Sequence, residues 1–248
     1  MLSKKVKRLH LQKLMGLNNE NWKQPYAEGK VLLINKPREW TSFDAVKKVR
    51  ILTGISKVGH AGTLDPLATG LLIICTGKFT KQINNYMAQE KEYTGSFTLG
   101  ATTPTYDLES KPTDFLPFDH LSAEQIRMAT KQFTGAIEQI PPIHSAIKKD
   151  GKPAYQLARK GQEIVMEPRR VIIYSFEITS IELPHVFFKV VCSTGTYIRS
   201  LAYDFGRALG CGAYLSNLCR TRIGDFRLED AQSIEDFVAL IKSQKEAL

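Results

Sequence analysis

Apolar and polar residues alternate with a period of two in residues 93–99, 172–178 and 186–192. This period is typical of half-buried β-strands, and the last two segments predict a pair of antiparallel neighbours. Shorter apolar runs at 30–34 and 71–75 predict two further strands, the second of them buried. The chain is therefore expected to contain a substantial β-sheet.

Apolar residues spaced by three or four positions predict helices in three places. Ser42 is the predicted N-cap of a helix whose apolar stripe ends at Gly54. A capping box of the Ser-x-x-Gln type at Ser122 opens the second, and the third follows Thr196 and stops at Gly210. Strands outnumber helices without a regular βα alternation, so the pattern favours an α+β fold with a mostly antiparallel sheet over a doubly wound fold.

Two segments depart from this regular pattern. Residues 1–29 are basic and polar with little periodicity, so we interpret them as a basic N-terminal leader. Residues 140–161 contain two adjacent prolines and a short basic run, which predicts an exposed excursion. The remaining chain, residues 30–248, is expected to form one folded domain.

The charge of the chain suggests a polyanionic partner. Lys and Arg total 34 against 25 for Asp and Glu, which gives a net charge of +9. The excess is regional, with clusters in residues 1–19 and 148–170, while the chain after residue 225 is acidic. A surface that binds nucleic acid has this distribution, although a solvated charged face is the alternative explanation.

The cysteines and the apolar runs indicate where in the cell the protein is located. The four cysteines have no CxxC spacing, so neither a disulfide framework nor a thiolate zinc site is indicated. No apolar run has the length of a signal peptide or a membrane span. The sequence thus predicts a soluble cytoplasmic protein with no membrane contact.

Common cofactor and metal motifs are missing from the sequence. The five histidines are scattered without an HExxH pair, and neither a phosphate-binding loop nor GxGxxG occurs. Ser145 and Lys148 have the spacing of serine acyl enzymes, but no KTG companion follows. The expected site contains no metal and no nucleotide cofactor.

The segment Gly59–Gly70, GHAGTLDPLATG, places one carboxylate inside a glycine-rich loop. Glycines permit close approach and unusual backbone angles, and Pro66 disfavours the α region at Asp65. Asp65 could therefore be a helix N-cap with Pro66 at the first helical position, or a side chain presented as a covalent nucleophile.

Tyr93 and Arg199 are the groups that could act with Asp65. Tyr93 lies on the inward face of a predicted strand, where its ring could stack on a base or simply fill the core. Arg199 lies at a predicted strand-to-helix turn, where it could pair with Asp65 and favour the charged carboxylate, or be a surface charge. His60 and Tyr197 complete this constellation. Spacing alone leaves open whether these residues meet.

These residues belong to longer motifs. The motifs are Asn35-Lys-Pro37 with Thr41-Ser42, Gly59–Gly70, Lys91-Glu-Tyr93, Gln139-Ile-Pro-Pro142 with Ser145-Ala-Ile-Lys148, Gly195-Thr-Tyr-Ile-Arg199, and Gly210-Cys-Gly-Ala213 leading to Leu218. In them the chain resembles the TruB family of bacterial tRNA pseudouridine-55 synthases, from about residue 29 to residue 240.

The resemblance implies an α+β pseudouridine synthase fold over residues 30–248, with helices flanking a central, mostly antiparallel sheet. It implies that Asp65 is the nucleophile, that Arg199 is its ion-pair partner and that Tyr93 stacks on the target uracil. Four further residues are expected to line or brace the pocket, or to occupy space near displaced nucleotides: Tyr197, Leu218, Lys36 and His60.

The resemblance also implies isomerisation of uridine 55 in the T-arm of tRNA, without cofactor. A monomer with no obligate protein partner and no C-terminal PUA domain is expected. At residues 101–107 the family has a more acidic loop, so no RNA contact there is carried over. Two alternatives remain, a tRNA-binding or folding module and a pseudouridine synthase acting on another RNA.

Overall fold

The computed structural model describes residues 21–145, 147–149, 152–154 and 164–247. Residues 1–20 of the predicted leader lie outside these ranges, so this part of the leader remains a prediction. Residues 146, 150, 151 and 155–161 of the predicted excursion at 140–161 lie outside them as well.

The described residues form helices and strands of moderate length. The helices are α1 (Gln24–Glu28), α2 (Ser42–Thr53), α3 (Ile83–Ala88), α4 (Ala123–Ala129), α5 (Ile198–Ala208) and α6 (Ile234–Glu246). The strands are β1 (Val31–Lys36), β2 (Val58–Ala61), β3 (Thr69–Thr76), β4 (Lys91–Leu99), β5 (Gly135–Gln139), β6 (Lys148–Lys149), β7 (Lys152–Pro153), β8 (Arg169–Glu182), β9 (His185–Cys192), β10 (Ala213–Ile223) and β11 (Phe226–Arg227).

The strands form one large sheet whose order is β1-β3-β10-β4-β9-β8-β5. β2 pairs with β3 and β11 pairs with β10, while β6 and β7 form a separate two-stranded sheet. Among the described strand pairs only β10 with β3 is parallel, because a long connection brings the chain back beside β3. The expected α+β fold with a mostly antiparallel sheet is confirmed, as is the antiparallel pairing of β8 with β9.

The helix boundaries follow their caps. The predicted N-cap of α2 was wrong by one residue, because Thr41, not Ser42, accepts the capping hydrogen bond from the backbone of Asp44 and completes a capping box with it. Gly54 ends the helix in the left-handed region, with φ of 70°. The capping box predicted at Ser122 is confirmed at the start of α4.

The packed part of the chain begins earlier than predicted. Tyr26 in α1 is only 1% exposed and contacts Phe237 of α6 edge to face, with ring centroids 6.3 Å apart. Its backbone carbonyl accepts a hydrogen bond of 2.7 Å from the Thr76 hydroxyl in β3. Tyr26 therefore attaches residues 21–28 to the folded domain, and the interpretation of this segment as leader was wrong, because a single buried aromatic residue leaves no periodic pattern.

The start of the predicted excursion is partly buried. Pro141, Pro142 and Ser145 are buried, and the Ser200 hydroxyl donates a hydrogen bond of 2.7 Å to the carbonyl of Ile140. The prediction of an exposed segment was wrong for these three buried residues, while the side chains of Ile140 and Ile143 are exposed as predicted. Prolines indicate irregular backbone but not its distance from the core.

Within the described ranges, no helix has both the length and the apolarity that crossing a bilayer requires.

Candidate active site

The Asp65 loop connects β2 to β3 and presents its carboxylate at the surface of a cleft. No helix follows Pro66; instead the backbone turns, and the amide of Ala68 donates to the carbonyl of Asp65 at 3.1 Å. Gly62 and Gly70 flank the turn with φ of 87° and 101°, values that side chains disfavour. The N-cap interpretation is therefore wrong, and 36% of the Asp65 side chain remains exposed.

Two polar side chains anchor this loop. The buried Ser42 hydroxyl accepts from the amide of Leu64 at 2.8 Å and donates to its carbonyl at 3.2 Å. Lys36, with no exposed surface, donates from Nζ to the carbonyls of Trp40 at 2.6 Å and Pro66 at 3.3 Å. Burial lowers the pKa of Lys36 to about 8, with the nearby Asp65 charge opposing that effect. The residues on both sides of Asp65 are thus fixed to α2 and β1.

Arg199 meets Asp65 across the cleft. Arg199 Nη2 donates to Asp65 Oδ1 at 3.2 Å, and Arg199 Nε lies 2.9 Å from Oδ2, so the guanidinium faces both carboxylate oxygens. Arg199 is in the first turn of α5 and is 4% exposed. A paired, charge-assisted contact of this kind restrains the orientation of both groups. The structure thus brings together the two residues that the sequence could only suggest as partners.

The start of α5 is positioned by a glutamine at the end of β5. Gln139 Nε2 donates to the carbonyl of Tyr197 at 3.0 Å, and Gln139 Oε1 accepts from the amide of Tyr197 at 2.8 Å. Burial raises the pKa of the Tyr197 phenol. The residue preceding the arginine helix therefore has both of its backbone groups fixed.

Asp107 is a residue of this site that sequence reasoning missed. It is 4% exposed, and its Oδ2 lies 3.7 Å from Arg199 Nε. Its Oδ1 accepts from the Thr105 hydroxyl at 2.6 Å and from the amide of Glu109 at 3.0 Å. Arg199 also donates to the carbonyls of Thr105 at 3.3 Å and His144 at 3.0 Å. An aspartate between threonines was the available signal, but it is equally typical of an exposed turn.

Tyr93 lies in β4, one strand away from the Asp65 loop. It is 8% exposed, and burial raises the pKa of its phenol. In the neighbouring β10, Leu218 is 7% exposed and belongs to the same hydrophobic cluster as Tyr93. That cluster also contains Leu64, the residue before Asp65. The aromatic ring and the carboxylate are thus joined by one apolar surface.

A cleft that opens to solvent lies beside Asp65. Its lining residues are Asp65, Leu67, Ala68, Asp107, Leu215, Ser216, Asn217 and Leu218. The pairing of β10 with β4 shifts register between Leu215 and Asn217, so a β-bulge forms this wall of the cleft. The cleft thus combines an apolar wall with two carboxylates.

His60 does not line the cleft. It lies in β2 opposite Ile74, and burial lowers its pKa, helped by the charge of Arg220. Of the predicted residues, the structure therefore brings Asp65 and Arg199 into contact and places Leu218 on the same cleft. Tyr93 shares the apolar cluster, Lys36 and Tyr197 brace the backbone, and His60 lies behind the loop.

The described residues hold no group of three or more His, Cys, Asp or Glu side chains placed to bind a metal ion.

Two family models match the chain. One, described as TruB family pseudouridylate synthase (N terminal domain), matches residues 50–198. The other, described as tRNA pseudouridylate synthase B C-terminal domain, matches residues 199–248. The boundary between them lies at the start of α5, so the two matched segments contribute Asp65 and Arg199 respectively.

Several relatives are similar over most of their length. A protein of Flavobacterium johnsoniae named tRNA pseudouridine synthase B is 54% identical over 221 residues, covering 86% of this chain and 96% of the relative. Proteins of the same name from Phocaeicola vulgatus and Bacteroides fragilis are 49% and 48% identical, covering 89% and 88% of this chain and 96% and 97% of the relatives.

A solved structure described as a Cbf5-Nop10-Gar1 complex contains a similar fold. It superposes with a TM-score of 0.72 at 30% identity and covers 91% of this chain. This chain spans 58% of the length of that solved chain.

Proposed function

This chain belongs to the TruB family of pseudouridylate synthases, and from that premise we propose that it isomerises uridine 55 in the T-arm of tRNA, with Asp65 as the nucleophile. The observation that carries the proposal is the paired contact of Arg199 with both oxygens of Asp65 at the edge of an apolar cleft. The names of its relatives support tRNA as the substrate.

The reaction asks for a nucleophile and for positioning, and the site offers both. The N1–C1′ bond of uridine breaks, the base turns, and a C5–C1′ bond forms while C5 loses a proton and N1 gains one. A carboxylate can start this sequence by adding to the sugar or to the base, provided that it is ionised and aimed. Arg199 faces both oxygens of Asp65 and fixes the direction of the carboxylate.

The target base must leave the RNA stack before it reaches Asp65. Extrusion costs a few kcal/mol, and stacking on an aromatic ring returns about 1 to 3 kcal/mol. In our proposal Tyr93 provides that ring and Leu218 the apolar wall beside it. Tyr197 and Lys36 brace the backbone around the reacting pair, and His60 supports the loop near the displaced nucleotides.

The finer parts of the proposal are the RNA element, the assembly and the compartment. We infer that the T-arm stem-loop alone presents the base, that the protein acts as a monomer without cofactor, and that it acts in the cytoplasm, where tRNA is found. The net charge of +9 supports attraction to the RNA backbone.

The experiment compares wild type, Asp65→Asn and the matched control Asp119→Asn on tRNA transcripts carrying [5-³H]uridine. Tritium is released when C5 loses its hydrogen, so the assay follows the chemistry directly. We expect Asp65→Asn to fall below a few per cent of the wild-type rate with tRNA affinity within severalfold, because the amide keeps the shape and lacks the nucleophile. Asp119 is exposed, so its variant is expected to match wild type.

Each other outcome identifies an alternative. Tight tRNA binding without tritium release would indicate a binding or folding module. Tritium release only from another RNA would show that the substrate is that RNA and not tRNA. Residual turnover of Asp65→Asn above a few per cent would exclude Asp65 as the nucleophile.

An isolated T-arm hairpin tests the finer claim. Its kcat/KM is expected to lie within a hundredfold of that for whole tRNA at one salt concentration, because the loop supplies the extruded base. A larger loss corresponds to more than about 2.7 kcal/mol of transition-state stabilisation. It would show that the protein also contacts stems of the tRNA outside the T-arm.

A further inference from the structure

Arg220 is a buried cation that the proposed mechanism does not use. It lies in β10, two residues after Leu218, and is 1% exposed. Among the described residues it has no carboxylate within 4 Å, whereas Arg199 has two. Burying a charged group without a counter-ion is costly unless hydrogen bonds replace its hydration. The groups that accept those hydrogen bonds therefore indicate its purpose.

The neighbours of Arg220 belong to three separate parts of the site. Nε donates to the carbonyl of Leu71 in β3 at 2.8 Å, and Nη2 donates to the carbonyl of Gly62 at 3.1 Å. Tyr93 in β4 is directly opposite Arg220 in the antiparallel pair, so the two side chains lie on the same face of the sheet. One planar group thus holds the loop that carries Asp65 and the strand after that loop, and it lies beside the aromatic residue.

The backbone around Arg220 leaves little freedom for this arrangement. In the sheet, Arg220 is opposite Tyr93 on one side and Gly70 on the other. A Cβ at Gly70 would lie 2.4 Å from the Arg220 carbonyl oxygen, so β3 approaches β10 more closely than a side chain permits. Gly62 has φ of 87°, and a Cβ there would lie 3.5 Å from Arg220 Nη1. The turn therefore lies directly on the guanidinium.

Arginine suits these acceptors better than lysine does. Its five N–H donors have fixed directions, so one guanidinium can hold both acceptors at a fixed angle to one another. A lysine ammonium is a point charge on a flexible stem and imposes no such geometry.

We propose that Arg220 is the positioning residue that sets the Tyr93 ring relative to the Asp65 loop. The inference rests on the proposed function, in which Tyr93 stacks on the uracil that Asp65 attacks. Arg220 does not touch the substrate in this proposal; it fixes the distance and angle between two groups that do. Misplacement by about 1 Å can cost two orders of magnitude in rate.

The test compares Arg220→Lys with the matched control Arg222→Lys, which changes a residue on the same strand whose Nη2 pairs with Glu90 at 2.8 Å. Rates are measured as single-turnover tritium release, and RNA affinity by filter binding, which also gives the fraction of competent protein. We expect Arg220→Lys to lose at least tenfold in rate with affinity within threefold. Arg220→Met, which has no donor, is expected to lose more, so that lysine gives partial rescue. Arg222→Lys is expected to stay within twofold.

A second variant keeps the proposal testable if the Arg220 variants do not fold. Tyr93→Phe leaves Arg220 in place and removes only the phenol oxygen, and it is expected to lose at least threefold in rate at unchanged affinity. In a double-mutant cycle Arg220→Lys and Tyr93→Phe are expected to be non-additive. A wild-type rate for either single variant, additive losses, or losses of affinity equal to losses of rate would overturn the proposal.

A third measurement does not depend on activity. In protein labelled with 3-fluorotyrosine, the ¹⁹F resonance of Tyr93 is assigned among the nine tyrosines by its loss in Tyr93→Phe. Arg220→Lys is expected to shift that resonance and Arg222→Lys to leave it. A wild type that releases no tritium would refute the proposed function, while an unshifted Tyr93 resonance would refute the role of Arg220.

Discussion

Two arginines that contact the segment Gly62–Asp65 are almost equally buried and have opposite surroundings. Arg199, 4% exposed, lies close to two carboxylates, those of Asp65 and Asp107. Arg220, 1% exposed, donates to two backbone carbonyls and lies opposite Tyr93 in the sheet. The first arginine is part of a charge network, whereas the second is a fixed hydrogen-bond donor inside the sheet.

The difference shows how burial can be used in two ways at one site. A guanidinium near two carboxylates controls the direction of the carboxylate that remains partly exposed. A guanidinium that contacts only neutral acceptors fixes the positions of those acceptors. In the proposed mechanism, removal of Arg199 therefore damages the nucleophile itself, and removal of Arg220 damages its alignment with the base.

The largest effect is expected from Arg199→Ala. This change removes the cation that contacts Asp65 and Asp107, so the carboxylate of Asp65 loses the group that fixes its direction. The single-turnover rate is expected to fall at least a thousandfold with RNA affinity within severalfold. Arg207→Ala, in the last turn of the same helix, is the control and is expected to retain the wild-type rate. Activity within tenfold of wild type near neutral pH would show that the ion pair has no catalytic part.

A smaller effect is expected from Asp107→Asn. The amide oxygen can still accept from Thr105 and Glu109, which turns the amide NH₂ towards Arg199 and opposes its present orientation. We expect about a fiftyfold loss in rate, or roughly 2.3 kcal/mol, with KM unchanged. Asp114→Asn changes an exposed residue of the same loop and is expected to have no effect. If Asp107→Asn also keeps the wild-type rate, then Asp65 is the sole functional partner of Arg199.

The smallest effect extends the comparison to a buried lysine. Lys91 in β4 is 5% exposed, and burial lowers its pKa to about 8 from 10.5. Below pH 8, Lys91 is protonated in both the folded and the unfolded chain. Between pH 8 and 10.5 the unfolded chain binds more protons at this lysine than the folded chain does. The contribution of Lys91 to the free energy of unfolding therefore rises with pH in this range. Relative to Lys91→Met, the free energy of unfolding of wild type should gain about 2 kcal/mol from pH 7 to 9.5.

Urea unfolding at the two pH values measures this difference. Lys47→Met, at an exposed position of α2, is the control and should follow wild type. Identical pH dependence in wild type and Lys91→Met would show that the buried ammonium is not destabilised.

Local sequence patterns predict strands and helices well where the spacing of the apolar residues shows which face of the element is buried. The alternation at 172–178 and 186–192 predicted paired strands, which β8 and β9 form. The long motifs predicted the pairing of Asp65 with Arg199, because a family resemblance contains information about contacts that spacing lacks. The contact is observed, while its catalytic role is a proposal.

Other features depend on contacts between residues far apart in sequence. Residues 213–223 are not marked by strict alternation, and nothing local shows that β10 enters the sheet between β3 and β4. Asp107 and Arg220 were missed for the same reason, since a charged residue reveals its burial only through partners elsewhere in the chain. Tyr26 was assigned to the leader because its partner Phe237 lies at the other end of the sequence.

The central place of β10 has a consequence for synthesis on the ribosome. Cys219 in β10 pairs with Thr69, 150 positions earlier, so β3 and β4 emerge long before the strand that lies between them. Until then their facing edges have no partner, and open edges are the places where nascent chains associate wrongly. Leu218 and Arg220 arrive with the same strand. A nascent chain therefore closes its sheet and completes its cleft in one late event.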